Sequence, residues 1–274
     1  MGLDASVMCT CYKLGKTTPC PFPEDFYVDE DGFPAVRLSA TDDDTKSDQF
    51  DAWLATCCEH PYMDMATTYI ADWNEYRAFV DALEQVGWDH FPTLHRQLPA
   101  ENHGILSADA AAQALEELNF FNSQNGISKT FLVNSDTKAV ILSTAQSEEG
   151  MFSWDGRTGL RLGFDEQGFF IRDVWDLNRE LFRATRIEQQ QLASDELDRA
   201  DQFEFTDLDT GKKFISTTPV RVFRRAEFGT TQDYPRLMHV EKRVVDTNYF
   251  AYILEPLTQI LTVSVETRNP VRWS

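Results

Sequence analysis

Two short pairs of metal-ligating residues stand near the start of the chain: Cys9-x-Cys11 and, inside CCEHPYM, Cys58-x-His60. Zn²⁺ prefers thiolate and imidazole, and closed structural sites use four such ligands in a tetrahedron. Cys9, Cys11, Cys58 and His60 are therefore the candidate metal ligands, with zinc in a structural role as the expected cofactor. The spacing is not that of a Cys-x-x-Cys finger. A Cys-x-Cys on an extended strand would send its side chains to opposite faces, so this site requires a turn or bulge. Cys57 or Cys20 could replace one ligand, and Asp64 could supply an oxygen. The competing reading is a set of free thiols packed as small hydrophobes. A catalytic zinc would need an open position and a nearby acid such as Glu59, a geometry that one intervening residue does not establish.

Other residues that could do chemistry carry weaker patterns. The other histidines are His90, His95, His103 and His239; His95 and His103 flank HRQLPAENHG and could lie near each other or near an acid, but loop histidines of this kind read more simply as satisfied surface residues. Cys57 or Cys58 as a nucleophile lacks a family signature. Asp209-Thr210-Gly211 is a single copy of a triplet that aspartic proteases use twice; between alternating aromatic residues it reads as a hairpin turn. Asp29, Glu30, Asp31 and Gly32 lack the spaced acids and terminal Glu of a calcium loop. No Gly-x-x-x-x-Gly-Lys, Gly-x-Gly-x-x-Gly or Gly-x-Ser-x-Gly motif occurs. Arg183 and Arg186, and the run Arg221, Arg224, Arg225, form local basic spots that either hold an anion or pair with the chain's own acids; pairing is the simpler use.

These residues need elements to position them. Residues 3–13 read as an opening strand and 19–34, with four prolines, as loop. Phe50, Trp53 and Leu54 share a helix face, as do Trp73, Tyr76, Phe79, Val80 and Leu83 from about Asp72 to Val86. Ser107 caps a helix whose face is Ala111, Ala114, Leu115 and Leu118. From Thr130 onward, FLVNSDTKAVILST, GLRLGFDEQGFFIRDVW and QFEFTDLDTGKKFIST read as hairpins. The polar stretch NRELFRATRIEQQQLASDELDRADQ fits either an exposed helix or a long connection. The region from Arg236 to Val265 fits a helix interrupted at Pro256 or, over ILTVSVET, a strand. The expected fold is α+β, with helices mainly in the first half and antiparallel β hairpins in the second, as one compact unit. Two lobes, 1–126 and 127–274, are the finer division.

The 274 residues, 42% of them hydrophobic, are enough to bury a full core. Formal net charge is −20, which argues against a nucleic-acid binder because duplex affinity depends on Lys and Arg neutralising phosphates. The charge is lopsided: residues 1–137 hold 7 Lys/Arg against 23 Asp/Glu, and residues 138–274 hold 18 against 22. Such a field either steers a cationic partner or keeps the protein in solution. No apolar run suits a signal peptide or a membrane span, so a cytoplasmic protein is expected. Five cysteines, none beyond position 58, do not suggest a disulfide scaffold.

The opening MGLDASVMCTCYKLGK, the following PFPEDFYVDEDG, the CEH triplet ending at His60 and the later LPAENHGILSADAAAQALEEL together resemble a group of uncharacterised bacterial proteins with a Gly-Leu-Asp start and a Cys-x-Cys. The resemblance covers roughly the first half. It implies a bacterial cytosolic protein and places Cys9, Cys11, Cys58 and His60 in one site, with no activity attached.

Taken together, the sequence predicts a non-enzymatic acidic binding protein, of the kind that inhibits a basic toxin or enzyme as immunity proteins do. The partner-binding acids would be Asp29, Asp31, Asp42, Asp43 and Asp44. The alternative is a zinc-binding protein or zinc-dependent enzyme built on the Cys/His cluster.

Overall fold

The computed structural model describes residues 2–29, 33–39, 44–143, 151–173, 175–176, 179–192, 202–226 and 229–274. The chain forms two compact units, Met1–Asn125 with Asp246–Ser274, and Gly126–Val245.

The first unit opens with β1 (Gly2–Met8), β2 (Phe26–Val28) and β3 (Pro34–Val36), followed by α1 (Asp44–Leu54) and β4 (Asp64–Asp72). Then come α2 (Trp73–Val86), α3 (Pro92–Gln97), β5 (Ile105–Leu106) and α4 (Ala108–Asn122). Asp72 ends β4 and caps α2 at once, its Oδ1 accepting from the amides of Asn74 and Glu75 at 2.9 Å each. Ser107 caps α4 through the Ala110 amide, as its spacing predicts. A buried carboxylate links two helices: Glu117 of α4 accepts from the Thr93 and Leu94 amides, both at 2.8 Å, at the otherwise unbonded N-terminus of α3.

The second unit holds β6 (Ile127–Asn134), β7 (Val140–Ser143), β8 (Met151–Asp155), β9 (Leu160–Asp165), β10 (Gly168–Asp173) and β11 (Glu180–Ala184). It continues with β12 (Arg186–Leu192), β13 (Gln202–Asp207), β14 (Lys213–Ser216), β15 (Val222–Ala226), β16 (Gly229–Asp233) and β17 (Leu237–Val245). Its larger sheets run β11-β10-β9-β8 and β14-β13-β12-β17-β6-β7, antiparallel throughout. Their inward rings share one core, in which Phe169 of β10 stacks on Phe205 of β13 at 5.3 Å. In the stretch read as an exposed helix or a long connection, 180–184 and 186–192 are instead strands, β11 and β12, with buried positions recurring at every second residue; 193–201 lie outside the described residues. Asp209-Thr210-Gly211 is the β13–β14 turn, with Gly211 at φ +75°.

The chain then returns to the first unit as α5 (Ala251–Thr267) and β18 (Val271–Trp273), completing a sheet in the order β4-β1-β18-β5. Residues 260–267 are helical despite their β-branched content, because Ile253, Leu254, Leu257, Ile260 and Leu261 are all buried on the helix. Pro256 stands inside α5. Having no N–H, it cannot close the usual bond to the Tyr252 carbonyl four residues earlier, yet the helix continues through it to Thr267. Phe79, Phe121 and Phe250 pack mutually within 6.0 Å at the centre of this unit.

This architecture corrects the expectation of one α+β unit with its helices gathered in the first half. The chain is mixed α/β with five sheets; strands run among the first four helices, and α5, the longest at 17 residues, lies near the C-terminus. The first-half strands escape a periodicity reading because β1, an interior strand, is buried at Ala5, Ser6, Val7 and Met8 in succession and shows no alternation there. Among the described residues no helix is long and apolar enough to cross a membrane.

Candidate metal centre

β1 ends at Met8, where its pairing with β4 shifts register, and the chain turns over residues 11–15. The turn closes with the Lys16 amide donating to the Cys11 carbonyl at 2.9 Å. Cys9 and Cys11 thus lie beyond the strand on a bent backbone, the geometry their spacing requires. The second ligand loop leaves α1, passes Cys57 and Cys58, and reverses after His60 through a short turn at Pro61–Met63. Tyr62 and Met63 both have left-handed backbone, at φ 56° and 60°, a conformation costing an ordinary residue roughly 1–2 kcal/mol. Main-chain bonds tie the loops together: the Cys9 amide donates to Met63 O at 2.7 Å and the Thr18 amide to Cys57 O at 2.8 Å.

The four predicted ligands converge. One ligand atom from each of Cys9, Cys11, Cys58 and His60 lies within 4.8 Å of all the others, and the group could hold a metal ion. Cys9 Sγ is 3.8 Å from Cys58 Sγ, and Cys11 Sγ is 3.4 Å from His60 Nδ1. A zinc tetrahedron with Zn–S about 2.3 Å and Zn–N about 2.0–2.1 Å has edges of about 3.8 Å between sulfurs and about 3.5 Å between sulfur and nitrogen. Two edges of the cluster match these values. Burial pushes the metal-free Cys9 thiol up to about 12, and Cys11 is raised by the same cause; a bound cation reverses that preference by favouring thiolate.

The alternative ligands stand outside this group of four. Cys57 is buried, its Sγ 3.6 Å from Leu54 O, and burial raises its thiol to about 11. Cys20 receives the Phe22 amide at 3.5 Å. Asp64 heads β4; burial raises its carboxyl while Ser6 and Arg272 oppose the shift, and its Oδ1 is buried with no hydrogen-bond partner. Around the cluster, Phe50, Trp53, Leu54, Cys57 and Met63 form a small core with Cys9, Cys20, Phe22, Phe26, Phe33, Val36 and Cys58 against it.

Of the acids expected to bind a partner, Asp31, Asp42 and Asp43 lie outside the described residues, and Asp44 opens α1. Asp29 is engaged locally, accepting from the Phe33 amide at 2.7 Å to brace the β2–β3 turn. The basic spots have divided roles. Arg183 pairs with Asp165 and Glu180, and Arg186 with Asp209, all inside the second unit; Arg221 lies over the Phe223 ring at 5.8 Å.

The histidines divide too. His95 stacks on Trp88 at 4.5 Å and His90 on Phe120 at 4.8 Å. His239 joins a chain that sequence spacing does not reveal, with Ser135 Oγ 2.9 Å from its Nδ1 and Glu241 Oε2 3.0 Å from its Nε2. This has the order of a nucleophile, base and acid. The amides that would flank an oxyanion are committed elsewhere: Ser135 N donates to Leu237 O, and Asp136 N and Thr137 N to Asn134 Oδ1. The trio therefore fastens the β6–β7 turn to β17.

No protein-family model, no curated protein and no solved structure matches the chain.

Proposed function

We propose that the protein is a metal-binding protein in which Cys9, Cys11, Cys58 and His60 hold one Zn²⁺ in a closed structural site. The observation that carries this reading is the convergence of four soft or borderline donors at tetrahedral spacing. Four protein ligands fill the tetrahedron and leave no position for a substrate or activated water, which favours a structural over a catalytic ion. Beside the cluster lies a small core of buried Phe50, Trp53, Leu54, Cys57 and Met63, against which Cys9 and Cys58 themselves pack, so a metal held there would also join these loops to that core.

Elemental analysis of protein purified under reducing conditions tests the reading. One zinc per chain is expected, lost in Cys58→Ser and in His60→Ala. Metal-free wild-type protein with an intact first unit would refute it.

A second reading, capture of a basic partner protein by the first unit, is favoured by how charge divides between the units. Met1–Asn125 and Asp246–Ser274 together carry 25 acids against 8 Lys/Arg, whereas Gly126–Val245 carries 20 against 17. At least 17 acids of the first unit therefore have no base within it to match them. Association with a basic protein should weaken steeply with salt and on reversing Asp29 and Asp44 to Lys; salt-independent association would rule out electrostatic steering.

A further inference from the structure

The β8–β9 hairpin turns through Asp155-Gly156-Arg157-Thr158-Gly159. Its organiser is Asp155, whose carboxylate accepts from the Arg157 amide at 2.9 Å, from Thr158 Oγ1 at 2.8 Å and from the Thr217 hydroxyl of a distant loop. With that carboxylate occupied by internal donors, the turn is fixed and presents the Arg157 side chain to a cleft of about 400 Å³. The cleft is also lined by Trp154, Asp155 itself, Phe203, Thr217, Arg221 and Tyr234.

Three features of this cleft bear on what it could hold. The first is exposed aromatic surface: Trp154 is 63% exposed and Tyr234 41%. Tyr234 is nevertheless held in place, its ring 5.1 Å from that of the buried Phe203. In the same hairpin turn, Gly159 lies so close to the 83% exposed Trp175 that a Cβ there would stand 2.8 Å from its indole nitrogen. Two exposed rings gathered on one concave surface, rather than scattered singly, are the kind of apolar surface that takes a ligand.

The second is guanidinium charge that no carboxylate contacts directly, beside the one acid of the lining, Asp155, whose oxygens are taken up by Thr217, Thr158 and the Arg157 amide. The chain has 45 acids for 25 Lys/Arg, and in this unit Arg172, Arg183, Arg186, Arg236 and Arg243 all meet a carboxylate. Among the described residues Arg157 and Arg221 meet none. Arg161, on a second cleft that shares Trp154, has only Met151 Sδ as a side-chain partner among them. The third is shape: the cleft is within the volume range of small-molecule sites, with hydroxyls beside the guanidiniums.

We propose that this cleft binds a small anion that carries a flat ring, of the nucleoside monophosphate class, with Arg157 and Arg221 taking the phosphate and Trp154 and Tyr234 offering ring faces. Guanidinium suits phosphate because its planar donors match the oxyanion, and every base has a face on which an indole or phenol can stack. A nucleic-acid strand fits less well: the chain's net charge of −20 repels a polyanion extending past the cleft, while a mononucleotide presents its charge only to the two arginines. The site belongs to the second unit and stands independently of the metal reading.

Isothermal titration calorimetry on the full chain with AMP tests the assignment, with adenosine, inorganic phosphate and glucose 6-phosphate as comparison probes. AMP should bind saturably with Kd on the order of 100 μM, at least about tenfold tighter than any of the other three. Arg157→Gln and Arg221→Gln should each weaken AMP by about tenfold or more, as should Trp154→Ala, all at exposed positions whose circular dichroism should stay that of the wild type. Absence of saturable AMP binding up to about 5 mM would overturn the proposal. So would inorganic phosphate binding as tightly as AMP, glucose 6-phosphate binding more tightly, or AMP affinity unchanged in folded variants.

Discussion

The sulfurs of Cys9 and Cys58, 49 positions apart in sequence, stand 3.8 Å from each other, the edge length of a zinc–thiolate tetrahedron. The loop amides around them depend on that meeting. A strong chelator should therefore raise hydrogen exchange at Cys9, Lys16, Thr18 and Met63, whose amides bond to Met63 O, Cys11 O, Cys57 O and His60 O. Amides paired between β6 and β17 should keep their protection. Exchange followed by mass spectrometry before and after chelation reads both outcomes.

Glu117 is buried with two helix amides as its partners. Glu117→Ala leaves the Thr93 and Leu94 amides unbonded inside the first unit and should cost about 2–3 kcal/mol, measured as a lower urea midpoint. Glu117→Gln keeps one acceptor and should cost less.

The hydroxyl of Thr217, the Arg157 amide and Thr158 together hold the Asp155 carboxyl down to about 2, against burial. Its unfolded value is about 3.9, so ionised Asp155 contributes about 2 kcal/mol of stability. Because the folded value is the lower one, that contribution is complete above about pH 5 and falls away as pH drops through about 2. Asp155→Asn should lose about 2 kcal/mol at neutral pH and little near pH 2. Urea titrations across that range check the sign.

Gly168 begins β10 at φ +133°, where an added Cβ would stand 2.7 Å from the Ala184 carbonyl oxygen of β11. A backbone contact cannot rotate away. Gly168→Ala should destabilise the second unit by more than about 2 kcal/mol in chemical unfolding.

The metal ligands are legible in the sequence because few residue types bind zinc and all five cysteines fall within the first 58 positions. Their mutual placement is not, since it depends on β1 pairing with β4 to bring residues 9–11 beside 58–63. The Ser107 cap, the α2 stripe and the second-half hairpins are local patterns and can be read directly. What escapes is long-range. Ser135 meets His239 because Val133 lies opposite His239 in the β6–β17 register, and no local period reports that pairing. Likewise Trp154 and Tyr234 line one cleft from opposite ends of the second unit's sequence. In 251–267 the helical stripe and the β-branched run compete, and packing decides between them.

β18 lies between β1 and β5, with Ala5 opposite Trp273 and Val271 opposite Leu106, so the first sheet contains the chain's last strand as an inner member. On the ribosome, the inserted unit has all its residues available while β1 still lacks its neighbour on one side. The sheet of the first unit therefore closes only when residues 271–273 dock between β1 and β5, and deleting them should open a gap in its middle.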